Sequence, residues 1–172
     1  LGAKNFNVHM HCSQLSSMCL LSRRKLNFLA DRLAKHQVNV VSLPLTNSWL
    51  LGKDKNKMPY NRPIAPIQQL QNASVNVSIG GDNVQDPWYT GGNYDPISLI
   101  SASMPITQLP PWERLGLSTF TTAASRLMEL ESDGILKSGI PADFVVLDAV
   151  SWSVAISSKT SRNVIIYDNW IQ

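Results

Sequence analysis

An acid at the end of a strand is the most telling chemical group in this chain. Val75-Asn76-Val77-Ser78-Ile79 is a β-rich run, Gly80-Gly81 ends it, and Asp82 comes next with Asn83 beside it. A carboxylate there can bind a hard or borderline metal and shuttle protons from a metal-bound water. Its ordinary alternative is an Asx-turn residue after the glycines. Asp86-Pro87-Trp88-Tyr89 then supplies a turn and two aromatic rings. A second group is His9-Met10-His11-Cys12-Ser13. Alternation along a strand puts His9 and His11 on one face, where two imidazoles can bind one ion. Two histidines this close also arise by chance. The third group is Leu43-Pro44-Leu45-Thr46-Asn47-Ser48-Trp49, again directly after a β-branched run. Asn47 is placed to hydrogen-bond a ligand and Trp49 to wall a pocket, and each has an equally ordinary structural use.

Other chemistries are excluded by missing motifs. The sequence has no Gly-x-Ser-x-Gly elbow, no phosphate-binding glycine loop and no Pro-Cys-x-x-Cys zinc-deaminase signature. Cys12 and Cys19 are the only cysteines, and their spacing fits neither a zinc knuckle nor a disulfide framework. Two unpaired thiols predict a reducing, cytoplasmic setting. The formal charge of +3 is mild, and the basic clusters at Arg23-Arg24-Lys25 and Lys53 to Lys57 lack interleaved aromatics, so no nucleic-acid partner is expected. No apolar run approaches the roughly 18 residues of a membrane span, and no signal peptide is visible. The first residue is Leu1, with a strand almost at once, which predicts a truncated chain.

Elements must position these groups. At 172 residues and 44% hydrophobic content the chain is long and apolar enough to bury a core. Strands are expected over Phe6 to His11, Val38 to Leu43 and Val75 to Ile79. An amphipathic helix is expected over Ser22 to His36, with Leu26, Leu29, Ala30 and Leu33 at helical spacing. A long polar loop from Thr46 to Arg62 and a short helix over Ala65 to Gln71 come next. Helices are expected over Ser98 to Leu109 and Leu117 to Leu130, broken by Pro110-Pro111. The alternation predicts βα units around a parallel sheet. After Gly134 the pattern changes to strands at Ala142 to Asp148 and Arg162 to Tyr167, joined by a polar loop, with a boundary near residue 130.

In family order, these pieces resemble the amidohydrolase superfamily and its cytosine-deaminase-like branch. Met10-His11-Cys12-Ser13, Leu43-Pro44-Leu45-Thr46-Asn47 and Gly80-Gly81-Asp82-Asn83-Val84-Gln85-Asp86-Pro87-Trp88-Tyr89 each come after a strand, and Thr121 to Leu127 looks like the helix after the barrel. Gly134 to Asp148, with its Gly-Ile-Pro-Ala-Asp-Phe-Val-Val-Leu-Asp ending, looks like the superfamily's tail motif.

The resemblance implies an α/β fold. Residues 1–130 would be the C-terminal part of a (β/α)8 barrel, strands six to eight, and residues 131–172 a β-sandwich segment. His11 then looks like the strand-six histidine. It lies too close to Asp82 for eight βα units, at roughly 30 residues each, to intervene, so His9 is incidental. The resemblance implies a metal-dependent hydrolysis of a C–N bond in a cyclic amidine or amide. Asp82 would be metal ligand and proton shuttle, and His11 would hydrogen-bond the attacking hydroxide. Trp88, Asn83 and Asn47 would line the substrate site. One divalent ion, zinc or iron, is implied, with its other ligands absent from this chain, so the chain alone is expected to be inactive. Gly81, where relatives often carry His, and Asn83, where bacterial cytosine deaminases have a second aspartate, depart from the pattern. The partner expected is a small heterocyclic substrate, with no membrane, and a homo-oligomer stays open. The alternative is a catalytically inactive homologue acting as a binding or structural module.

Overall fold

A computed structural model describes residues 9–53, 56–139, 143–157, 162–166 and 169–171. Three short strands, β1 (His11–Ser13), β2 (Asn39–Ser42) and β3 (Val77–Ile79), form one parallel sheet in sequence order. Parallel neighbours need crossovers. Helix α1 (Arg23–Lys35) supplies the first, and α2 (Pro44–Leu50) with α3 (Ile67–Asn72) supplies the second. The α/β alternation read from the sequence is therefore present. The register pairs His11 with Asn39 and Val40 with Val77. Of the first expected strand, Phe6 to Val8 lie outside the described residues, His9 and Met10 are not strand, and β1 instead starts at His11 and runs on to Ser13.

Side-chain alternation gives the sheet two unlike faces. Val40, Val77 and Ile79 point toward the helices and join Leu26 and Ala30 of α1 and Ile67 and Leu70 of α3 in one buried cluster. Each of these buried Val, Leu and Ile side chains contributes about 2 kcal/mol from apolar area alone. The in-register residues of the other face are His11, Ser13, Asn39, Val41, Asn76 and Ser78, polar in all but one case. Asn76 Nδ2 donates to Asn39 Oδ1 at 2.9 Å across that face and to the Ala123 carbonyl at 3.0 Å.

Several elements differ from the sequence expectation. The segment expected to be polar loop from Thr46 begins as α2. Pro44 has its φ preset for a first helical position, and the Leu43 carbonyl accepts from Asn47 N at 3.1 Å. The helix expected over Leu117 to Leu130 is two, α5 (Arg114–Ser118) and α6 (Thr122–Leu127), preceded by α4 (Pro96–Thr107). Thr119 Oγ1 donates to the Gly116 carbonyl at 2.7 Å and Thr121 Oγ1 to the Leu117 carbonyl at 3.2 Å, bonds that compete with continued helix. The break frees the Thr119 carbonyl to accept from Ile79 N at 3.0 Å on the outer edge of β3.

The tail carries a separate antiparallel sheet of β4 (Phe144–Leu147), β5 (Arg162–Ile166) and β6 (Asn169–Ile171). Between β4 and β5, where a polar loop was expected, stands α7 (Trp152–Ser157). It packs on α4, and Ser101 Oγ donates to the Ile156 carbonyl at 2.8 Å.

Candidate functional site

The turns after β2 and β3 lie at the same end of the parallel sheet and hold most of the candidate residues. In open or closed α/β sheets this carboxyl end is where ligands bind. β3 ends at Ile79, and Gly80 passes close over β2: a Cβ there would stand 3.0 Å from Leu43 Cδ2 and 3.4 Å from Val41 Cγ1. Asp82 then takes a left-handed backbone, φ 59°. Aspartate tolerates that region better than most residues, and the turn redirects the chain out of the strand. The Asp82 side chain is exposed.

Residues 83–95 form a tightly bonded loop. Asn83 Nδ2 donates to Asp86 Oδ2 at 2.5 Å. The other carboxylate oxygen of Asp86 accepts from Trp88 N at 2.9 Å and Tyr89 N at 2.8 Å. These bonds, the Asn83 amide foremost, hold the Asp86 carboxyl below the usual carboxylate range. Gln85 N donates to the Gly91 carbonyl and Asp86 N to the Tyr89 carbonyl, at 2.9 and 3.1 Å. The loop closes at Asp95, whose carboxylate caps α4 by accepting from Ile97 N and Ser98 N. Such a cap satisfies donors that the first helical turn otherwise leaves open.

The candidates are not all brought together. His11 lies on the polar face of the sheet, exposed, in register with Asn39 at the amino end of the strands. Asp82 lies beyond the carboxyl end. Among the described residues no hydrogen bond joins the two side chains. His9 is turned away, its Nδ1 3.4 Å from Glu129 Oε1 at an exposed pair. Cys12 and Cys19 are free thiols, and burial raises the Cys19 thiol above its ordinary pKa. Asn47, 2% exposed, is buried in α2, and its Nδ2 has no partner among the described residues. Trp88 is 61% exposed on the loop. Asn83, expected to meet substrate, directs its amide at Asp86.

A cavity of about 160 Å³ lies between this loop, α2 and α4, with Leu45, Gly81, Tyr89, Asn93, Leu99 and Ala102 among its walls. Tyr89 also meets Trp49, ring centroids 6.4 Å apart and tilted by 57°. Lys53 Nζ sits 4.3 Å from the Trp49 ring centre. Sequence reasoning took Trp88 as the aromatic of this segment and passed over Tyr89 and Asp86. The signal was present in the Asn83-x-x-Asp86-Pro87 spacing, since an Asp before Pro caps the turn that Pro presets.

A metal ion needs a set of converging donors. Among the described residues no group of three His, Cys, Asp or Glu side chains is placed to hold one. Asp82, a single exposed carboxylate, does not fit a metal by itself.

The family model described as "Amidohydrolase family" matches residues 3–166. A pterin deaminase from Rhizobium rhizogenes is 28% identical over 151 residues, 86% of this chain and 35% of that protein. An N-isopropylammelide isopropyl amidohydrolase from a Pseudomonas species is 28% identical over 106 residues, 60% of this chain and 26% of that protein. A 5-methylcytosine deaminase from Klebsiella pneumoniae, solved with 5-fluorocytosine, superposes with a TM-score of 0.81 at 24% identity, covering 94% of this chain and 40% of that one. The chain thus spans about a third of the first relative's length. The structural match establishes that the α/β fold is shared.

Proposed function

The chain belongs to the amidohydrolase family, and on that premise we propose that it is the C-terminal part of an enzyme hydrolysing a non-peptide C–N bond in a cyclic amidine or amide. In this reading β1, β2 and β3 are strands six, seven and eight of a (β/α)8 barrel, and residues 131–172 belong to a small β-sandwich. The observation that carries it is Asp82, set by a left-handed turn beyond the carboxyl end of β3 with an aromatic-walled loop behind it. The two-faced sheet supports it, because an apolar face toward helices and a polar face opposite suit a barrel wall. The names of the relatives favour a heteroaromatic substrate.

Within this chain Asp82 would accept the proton of the attacking water and return it toward the leaving nitrogen. The ring of Trp88 would cover one face of a planar substrate; the resemblance also gives His11 a hydrogen bond to the oxygen that gains charge, a role that its register at the amino end of β1 does not favour. Asn47 would offer its unpaired amide to the ligand from α2. A divalent ion, zinc or iron, belongs to the whole enzyme in this reading, and Asp82 is the ligand this chain contributes. The setting proposed is cytoplasmic, with the heterocycle as partner. No described helix is long and apolar enough to cross a membrane.

The rival reading is an inactive homologue serving as a binding or structural module, which the neutral Asn83 beside Asp82 would permit. Asp82→Asn in the full-length protein separates the two. Loss of proton transfer should lower turnover of 5-methylcytosine or pterin by about a hundredfold or more, with the fold intact by circular dichroism. Wild-type protein that binds either compound without releasing ammonia would favour the module. Undiminished turnover in the variant would remove Asp82 from the chemistry.

A further inference from the structure

We propose that the cavity between α2, α4 and the loop of residues 83–95 is a ligand site in its own right, shaped for one small neutral aromatic ring that carries a single polar group. It stands apart from the heterocycle site proposed above, since neither Asp82 nor Trp88 lines it.

Gly81 keeps this cavity open. Its neighbours in the turn are glycines for other reasons: a Cβ on Gly80 would stand 3.0 Å from Leu43 Cδ2, and Gly92 has φ 77°. Gly81 is under neither constraint. Its backbone is not left-handed, and a Cβ there would meet only Leu99 Cδ2 of α4, at 3.9 Å, an ordinary contact. A side chain at 81 would therefore be tolerated by the backbone and would enter the space that Gly81 and Leu99 both line. The direction also separates this space from the polar face of the sheet. The Cβ of Gly80 would point at Val41 on that face, whereas the Cβ of Gly81 would point at α4, on the helix side.

The opposite wall is preformed. Asp86 accepts from Tyr89 N at 2.8 Å, and the Tyr89 ring meets Trp49. Gly91 and Gly92 lie against that ring, where a Cβ would stand 3.0 Å from Cζ and 3.2 Å from Cε1. A ligand that meets a fixed wall loses less affinity to ordering.

Size and chemistry define the occupant. A cavity of about 150 Å³ admits one benzene ring, so the 160 Å³ here suits one ring and not a fused pair. Leu45, Leu99 and Tyr89 offer apolar surface, and no charged side chain lines the walls, so the ring is neutral. The polar group is assigned to Asn93. Its carbonyl oxygen accepts from Asp95 N at 3.0 Å, and its amide nitrogen has two protons to donate. Asn93 and Ala102 are exposed and form the mouth. Phenol meets these requirements, its ring on Leu45, Leu99 and Tyr89 and its oxygen accepting from the Asn93 amide.

The experiment titrates phenol into the methyl-labelled full-length protein and follows the methyl resonances of Leu45, Leu99 and Ala102. They should shift together and half-saturate at about 1 mM, the order for so small a ligand. Gly81→Leu fills the cavity from the strand end and should weaken binding tenfold or more. Ala102→Leu narrows the mouth from an exposed helix position and should weaken it as well, deciding the matter if Gly81→Leu fails to fold. 1-Naphthol, one ring too large, should bind at least tenfold more weakly than phenol. Methyl resonances that do not saturate, or wild-type affinity in the folded variants, overturn the proposal. Naphthol binding as well as phenol overturns the single-ring limit. Shifts confined to the Trp88 indole would put phenol in the heterocycle site and overturn it too. Turnover is not read, so the proposed hydrolysis can fail while this test stands.

Discussion

After β2 the chain turns at once into a half-buried helix whose inward polar groups find few protein partners, whereas after β3 it runs through an irregular, partly exposed loop in which they are bonded to one another. Ser42 Oγ at the end of β2, Thr46 Oγ1 and Asn47 Nδ2 in α2, and Ser103 Oγ in the α4 helix packed on it have no partner among the described residues. All four side chains belong to residues at most 2% exposed. In the β3 loop, Asn83, Asp86, Asn93 and Asp95 each bond to a neighbour within three residues. Burial thus does not predict which turn is fixed by polar contacts. The α2 turn is held by packing and by its helix, and the β3 loop by a local bonding scheme written in its own sequence.

The two turns meet at Gly80, and a substitution there should disturb both. Gly80→Ala would press a methyl group on buried Leu43, which leads into α2, and on Val41 beneath it. Overpacking of this kind costs about 1 to 3 kcal/mol, to be seen as a lower thermal midpoint. Unchanged stability would mean that Leu43 yields freely and the two turns are independent.

Of the two turns, acid should loosen only the β3 loop. Asp86 has its carboxyl lowered in the folded protein, first by the Asn83 bond and then by the Tyr89 and Trp88 amides. A depressed carboxylate contributes stability that is present above its unfolded value. The contribution is lost as pH falls through the folded one. The loop should therefore stay closed at neutral pH and open below the ordinary aspartate value near 3.8. Tryptophan emission tracked through that range, with Asp86→Asn as the variant lacking the transition, checks this. A transition of equal size in the variant would assign the change to another acid.

How much of the molecule was legible in the sequence obeys the same division. The βα alternation and the helix-facing residues Leu26, Ala30, Val40 and Val77 could be read because burial repeats with the period of each element. The family resemblance, carried by the stretches around His11, Asp82 and Gly134, agrees with the family match. Helix α2 was missed because its seven residues carry no full apolar period, and Pro44 after a strand reads as a stop as readily as a first helical turn. The Asp86 bonds were missed for a different reason. An Asp-Pro turn announces itself, but which donors fill its two oxygens depends on the left-handed residues Asp82 and Gln85, and no propensity sets those in advance.

The smallest effect belongs to the buried turn and tests the comparison from its other side. Thr46→Val keeps shape and volume nearly constant while removing an oxygen that has no protein partner among the described residues. Removing a bonded buried hydroxyl costs the bond and leaves its partner unsatisfied, whereas removing an unpaired one relieves a desolvation penalty. The change in stability should therefore stay within about 1 kcal/mol of zero or favour the variant, measured by denaturant unfolding at constant m-value. A loss of about 2 kcal/mol or more would show that the Thr46 hydroxyl is bonded in solution. The α2 turn would then be a polar network like its neighbour, and the contrast between the two loops would close.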